Sequence, residues 1–243
     1  MLKFSYIIEQ KGNTMATFSV EGISKKYGRN TILNNVSFEA NEGDCIGIVG
    51  GNGCGKSTLV KILSNAFNPD SGKIFYNNED VTGNNRLLSR LVGYVPQDNP
   101  LFDNLSVKDN LRLRYCDSTH SLKKDIKNGL VSSFGLTKYI HYPVRKLSGG
   151  MKKRLSIVCA LAKDPKILIL DEPGASLDIQ CKEDIKTHMK DFIAKGGLII
   201  IVSHEETELS ICNHIMLMKD GGLEELPTTD ITYLLERLGS DND

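Results

Sequence analysis

No apolar run in the 243-residue chain approaches the roughly 18–20 consecutive residues that a membrane-spanning helix needs. The longest, Leu198 to Val202, has the length of a strand. The opening stretch "MLKFSYIIEQKGNTM" has no long apolar centre and does not read as a secretory leader. There is no C-x-x-C pair: the six cysteines (Cys45, Cys54, Cys116, Cys159, Cys181, Cys212) are scattered, several within apolar runs such as "IVCALA". That pattern argues against a disulfide framework and for reduced, buried thiols in a cytosolic protein. Nor is there an excess of either charge. Lysine plus arginine equals aspartate plus glutamate at 30 each, so the chain as a whole offers no reason to expect nucleic acid binding. Internal repeats and low-complexity linkers are also missing, which leaves one globular unit of ordinary composition.

Residues 16–243 read as that unit, and residues 1–15 as a poorly ordered N-terminal extension, with Met15 as an alternative start. Short strands are expected over "FSVEGISKKYG" and "TILNNVSFEA". In the second, the alternation of Ile32, Asn34, Val36 and Phe38 against Leu33, Asn35, Ser37 and Glu39 is imperfect, with Val36 and Phe38 suited to one buried face. "CIGIVG" is a short apolar strand, followed by a glycine-rich loop and an expected helix, "KSTLVKILSNAF". Residues 98–163 read as mostly helical. "KILIL" and "LIIIV" are two further buried strands. Near-continuous apolar runs alternating with helices predict a largely parallel sheet covered on both faces.

Two chemical motifs sit on this frame. "GGNGCGKST" fits G-x-x-x-x-G-K-[ST]: Gly50, Gly51, Asn52, Gly53, Cys54, Gly55, Lys56, Ser57 and Thr58. Glycines let successive backbone N–H groups turn inward toward phosphate oxygens, and the following helix adds the positive end of its dipole. In such a loop Lys56 reaches the β- and γ-phosphates and the Ser57 hydroxyl ligates Mg²⁺. The Cys54 thiol beside a triphosphate predicts sensitivity to alkylation. The second motif, "ILILDEP", delivers two carboxylates at the end of a buried strand, where ligands sit in open α/β sheets. Asp171 is placed to hold Mg²⁺ and Glu172 to orient the attacking water.

These motifs alone allow a kinase, a GTPase, a helicase or a transport ATPase. The rest of the chain narrows the choice. "YVPQ" ends at Gln97, "LSGGMKKRL" runs from Leu147 to Leu155, "SLD" ends at Asp178 and "IVSH" at His204. In this order the motifs resemble the ATP-binding-cassette family, specifically its nucleotide-binding domain, over residues 16–225. The resemblance implies a P-loop NTPase core with a mostly parallel sheet, an N-terminal antiparallel β subdomain and a helical subdomain. It also implies ATP and Mg²⁺ as cofactors. By position, Tyr27 matches the aromatic that stacks on adenine. Gln97 matches the glutamine touching Mg²⁺ and the attacking water, and His204 the histidine contacting the γ-phosphate. Asp178 matches the aspartate of a loop that crosses the dimer interface. Ser148, Gly149 and Gly150 match residues that approach the ATP held by a second copy, and a serine hydroxyl with glycine amides at a helix start suits an anion. The helix that follows carries Met151, Leu155, Val158, Cys159 and Ala162 at core spacing, and Lys152, Lys153 and Arg154 are expected on a solvated or interfacial face.

What the resemblance implies for function is an ATPase subunit on the cytoplasmic face of the cell membrane. It would close as a homodimer, or with a paired cassette, in the ATP-bound state, and would drive solute transport through a separate integral membrane permease; no nucleic acid partner is expected. The stretch "DNPLFDNLSVKDNLR" is the expected docking area for the permease. Three departures from the family pattern remove no catalytic group. Gly51 stands for the common proline, "GAS" precedes "LD", and Met151 replaces the glutamine of many importers, which leans toward exporter-type cassettes. The alternative is a soluble single-cassette ATPase such as the one that serves iron–sulfur cluster assembly. A small-molecule kinase would have no use for Ser-Gly-Gly.

Overall fold

The computed structural model describes residues 17–118, 120–175 and 177–227. The extension expected at residues 1–15 lies outside the described residues. In chain order the elements are β1 (Phe18–Tyr27), β2 (Asn30–Ala40), β3 (Cys45–Val49), α1 (Lys56–Leu63), β4 (Ser71–Tyr76), β5 (Glu79–Asp80), α2 (Asn85–Leu91), β6 (Val92–Val95), α3 (Val107–Tyr115), α4 (Leu122–Asn128), α5 (Leu130–Ser133), α6 (Gly149–Leu161), β7 (Ile167–Asp171), α7 (Ile179–Ala194), β8 (Leu198–Val202), α8 (Glu206–Leu209), β9 (His214–Lys219) and β10 (Gly222–Glu225).

The strands form two sheets. One is four-stranded and antiparallel, in the order β2-β1-β4-β5. The other is six-stranded, in the order β10-β9-β3-β8-β7-β6, and is parallel except for its edge strand β10. The apolar runs of β7 and β8 are continuous because both faces of this sheet are covered. Along β7, Ile167 and Ile169 face a core shared with α1 and the antiparallel sheet. Leu168 and Leu170 face a second core built with the helical segment between β6 and β7. β8 divides likewise, with Leu198, Ile200 and Val202 on one side and Ile199 and Ile201 on the other. All of these side chains are at most 3% exposed, so each contributes about 1.5–3 kcal/mol of apolar burial.

Parallel pairing has one consequence for function: it lines up the carboxyl ends of β3, β6, β7 and β8 along one edge. Val95 pairs with Leu170, Asp171 with Val202, and Ile48 with Val202. The residues following these strands are therefore neighbours although they are far apart in sequence.

Local geometry corrects one expectation and accounts for another. The helix expected to run to Phe67 stops at Leu63, because Asn65 turns left-handed at φ 61° and the Ala66 and Phe67 amides fold back onto the Lys61 carbonyl, at 2.8 and 3.1 Å. The imperfect alternation of β2 is a bulge at Asn35, φ 55°, whose amide bonds the Ser24 hydroxyl at 3.0 Å. The bulge shifts the register against β1, so that Leu33 is buried together with Val36, Phe38 and Ala40. Residues 98–106 precede α3 and carry no helix; the helical part of the segment begins at Val107.

Candidate nucleotide site

The glycine-rich loop leaves β3 and ends at α1. Gly50 has φ 152°, and a Cβ there would collide with the Met218 carbonyl, so a side chain is barred. Gly55 caps α1 with φ 115°, and its Cβ position lies 2.9 Å from the Ile32 carbonyl oxygen, where β2 crosses the loop. Gly51, Asn52 and Gly53 are exposed at the tip, Cys54 and Thr58 are half-buried, and Ser57 is exposed. Lys56 is only 7% exposed. Its ammonium donates to the carbonyls of Gly50 at 2.6 Å and Gly51 at 2.9 Å, and lies 3.9 Å from Cys54 Sγ. The loop is thus curled around a cation, a form already suited to an anion.

Asp171 ends β7 and is 5% exposed. Burial, then the Glu172 carboxylate beside it, pushes its pKa above the ordinary carboxylate range; a Ser57 hydrogen bond and the charges of Lys61 and Lys56 pull the other way. Glu172 is in the left-handed region, φ 47°, which is unusual for a residue with a Cβ and stores strain of about 1–3 kcal/mol. Its amide is held by the Val202 carbonyl at 2.9 Å, and its carboxylate accepts from Gln97 Nε2 at 2.8 Å. The structure therefore brings together Ser57, Asp171, Glu172 and Gln97. These are hard oxygen donors around a partly desolvated acidic pair, and they fit Mg²⁺ in both donor type and charge.

His204 is exposed just past β8, at the same sheet edge. The residue before it is buried: the Ser203 hydroxyl donates to Glu208 on α8 and accepts the Glu205 amide at 2.9 Å. Glu205 in turn pairs with Lys182 on α7 at 2.7 Å. Tyr27, 48% exposed, sits at the tip of the β1–β2 hairpin, with the Lys25 ammonium 6.0 Å from its ring centre.

The Ser148–Gly150 segment is built as a helix start. Ser148 is the N-cap of α6, and its Oγ accepts the Met151 amide at 3.3 Å. Ser148 and Gly149 are exposed, and a Cβ at Gly149 would meet nothing within 4 Å. A Cβ at Gly150 would lie 2.9 Å from Cys181 Sγ on α7. Asp178 caps that same α7, its carboxylate accepting the Cys181 amide at 2.9 Å, beside the 81% exposed Ile179. Among the described residues, no hydrogen bond joins Ser148, Gly149 or Gly150 to the phosphate loop of their own chain.

The three cations after this segment are not one solvated face. Lys152 pairs with Asp103 at 2.9 Å and Arg154 with Asp184, but Lys153 is 3% exposed and donates to the carbonyls of Pro96 at 3.2 Å and Gln97 at 3.0 Å. Sequence reasoning missed it because a lysine between two charged neighbours reads as surface. The Ser203–Glu208 pair was missed as well, since its only signal was a glutamate on a short helix.

The chain also resembles known proteins. The family described as "ABC transporter" matches residues 33–175. The Nod factor export ATP-binding protein I of Ralstonia nicotianae is 33% identical over 207 residues, 84% of this chain and 64% of that protein. The chain therefore spans less than two thirds of that relative's length. A probable sulfate/thiosulfate import ATP-binding protein of Chlorella vulgaris is 33% identical over 213 residues, 85% of this chain and 89% of that protein. Among solved structures, a dimeric post-hydrolysis ATP-binding cassette bound to ADP and Pi superposes with a TM-score of 0.76 at 25% identity, covering 87% of this chain and 99% of that one.

Proposed function

Because this chain belongs to the ABC transporter family, we propose that it binds and hydrolyses ATP with Mg²⁺ and drives a separate membrane permease. The observation that carries the reading is the meeting of Gln97 and Glu172 at 2.8 Å, at a sheet edge that also presents Lys56 and Asp171. Lys56 would exchange its two loop carbonyls for phosphate oxygens. Ser57, Asp171 and Gln97 would hold Mg²⁺, which supplies charge neutralisation on the transferred phosphoryl group. Glu172, kept in place by its strained backbone and by Gln97, would orient the attacking water, and His204 would face the γ-phosphate. Tyr27 would stack on adenine.

Ser148 and Gly149, exposed, and the half-buried Gly150, all without a bond to their own phosphate loop, suit a second copy's ATP, with Asp178 beside the same interface. Two nucleotides would then lie between two cassettes, and ATP would close the pair. No helix among the described residues is long and apolar enough to cross a membrane. The exposed Phe102 (58%) and Leu113 (51%), which line a groove of about 280 Å³ beside α3, are with the exposed Leu105 (38%) the surface offered to a permease at the inner face of the membrane. The transporter names of the relatives from Ralstonia nicotianae and Chlorella vulgaris favour this reading over a soluble cluster-assembly ATPase.

The test is Glu172→Gln. Turnover is expected to fall by about 10²–10³-fold, while gel filtration with ATP shows a dimer. A monomer at every ATP concentration would overturn the two-copy arrangement. Recovery of only soluble scaffold proteins from detergent-solubilised cells would overturn the permease partner.

A further inference from the structure

We infer that Lys153 is a positioning residue, a buried ammonium clamp that ties the helix bearing Ser148–Gly150 to the backbone from which the Gln97 carboxamide projects. The inference rests on the hydrolytic reading above and adds a residue to it. Lys153 sits on α6, one turn past Ser148. Its two bonds go to consecutive carbonyls, Pro96 and Gln97, so they fix the backbone on both sides of the Gln97 Cα. With that backbone fixed, the side chain of Gln97 is directed at Glu172 Oε2. The path from α6 to the water-orienting carboxylate is therefore three side chains long: Lys153, Gln97, Glu172.

Two further observations separate Lys153 from a cation that happens to be buried. Its neighbours Lys152 and Arg154 spend their charge on carboxylates, Asp103 and Asp184, whereas the hydrogen bonds of Lys153 go to carbonyl oxygens. Its charge is tolerated inside because Glu208, Asp171, Asp98 and Glu172 all act on it favourably, although burial still lowers its pKa. Three of those four carboxylates flank the site itself. A displacement of α6 by a second copy's phosphate at Ser148–Gly150 would reach Gln97 through this clamp. Hydrolysis in one half-site would then sense occupancy of the other. An apolar side chain of similar length would fill the space but leave the Gln97 backbone unheld.

The test uses purified full-length chain and steady-state ATP hydrolysis, with the wild type measured first. Lys153→Met is expected to lower kcat about a hundredfold, the scale of a misplaced catalytic group, with KM and nucleotide Kd within about twofold of wild type. Lys153→Arg, which keeps the donors, restores most of kcat. The decisive comparison is a cycle with Gln97→Ala. If Lys153 acts through Gln97, the double variant is no slower than Gln97→Ala alone. A further hundredfold loss in the double variant, or an unchanged kcat in Lys153→Met, overturns the inference. Should Lys153→Met not fold, Lys153→Gln enters the same cycle, with the same outcomes. A wild type that hydrolyses no ATP would instead overturn the hydrolytic reading, so the two failures are distinguishable.

Discussion

Gly149 and Gly150 are adjacent and chemically identical, yet the structure predicts opposite consequences for the same substitution. A Cβ at Gly149 meets nothing within 4 Å, and its backbone is not left-handed. Gly149→Ala at the first position of α6 should therefore stabilise the folded chain by about 0.5–1 kcal/mol through reduced freedom of the unfolded state. For a domain of this size that is a rise of about 1–4 °C in Tm. A Cβ at Gly150 lies 2.9 Å from Cys181 Sγ, so Gly150→Ala overpacks the α6–α7 contact and costs about 1–3 kcal/mol. Removing the sulfur in Gly150→Ala/Cys181→Ala should return much of that loss, because the next contact, to Cys181 Cβ, is at an ordinary 3.5 Å. Activity should follow another rule. The methyl of Gly149→Ala occupies open space that the proposed sandwich reserves for a second copy's phosphate, so ATP hydrolysis should fall about a hundredfold even as Tm rises. The assays are thermal melting without nucleotide, ATP turnover, and gel filtration of the same substitution in the Glu172→Gln background. Wild-type turnover in a more stable Gly149→Ala, with dimer still formed, would refute the assignment of Gly149 to the shared site.

Other outcomes are open to direct measurement. N-ethylmaleimide should block ATP turnover in the wild type, whereas the residual turnover of Cys54→Ala should resist it, since this thiol lies 3.9 Å from the Lys56 ammonium inside the loop; equal loss in both would place the sensitive thiol elsewhere. Glu208 is held above its ordinary pKa of 4.5, chiefly by burial. Its contribution to stability is therefore complete below that value and is lost as pH rises through the folded-state pKa. Glu208→Gln should give a higher Tm than wild type at neutral pH and a flatter Tm–pH curve; a lower Tm from pH 6 to 8 would mean that the Ser203 and Gly174 hydrogen bonds and the attraction to buried Lys153 outweigh the burial cost of the charge.

How much of this was legible in the sequence depended on the kind of signal. Strands β7 and β8 were legible because a strand buried on both faces must be apolar at every position, and few other structures demand that of five residues. The places of the glycine-rich loop, between β3 and α1, and of the paired carboxylates, at the end of β7, were legible because each follows directly on an apolar run of strand length. The bulge at Asn35 was not, since its cause is a hydrogen bond to Ser24 on another strand. The end of α1 was hidden in the same way, set by an asparagine that tolerates the left-handed region and by amides that fold back onto the Lys61 carbonyl. Lys153 was misjudged for a third reason: periodicity assigns faces, but α6 is covered on more than one side, and a lysine can be buried wherever two carbonyls await it.

The central sheet also acts as a partition. Ile169 and Leu170 are consecutive in β7, yet one side chain belongs to the core beneath α1 and the antiparallel sheet and the other to the core of the helical lobe. A single-residue step along one strand thus chooses which half of the molecule is softened. Trimming Ile169 to Val should loosen the packing beneath α1, and trimming Leu170 to Val the seat of the helices, with the backbone ladder between them unchanged. The strand provides adjacent levers of equal chemistry by which the two lobes can be tuned one at a time.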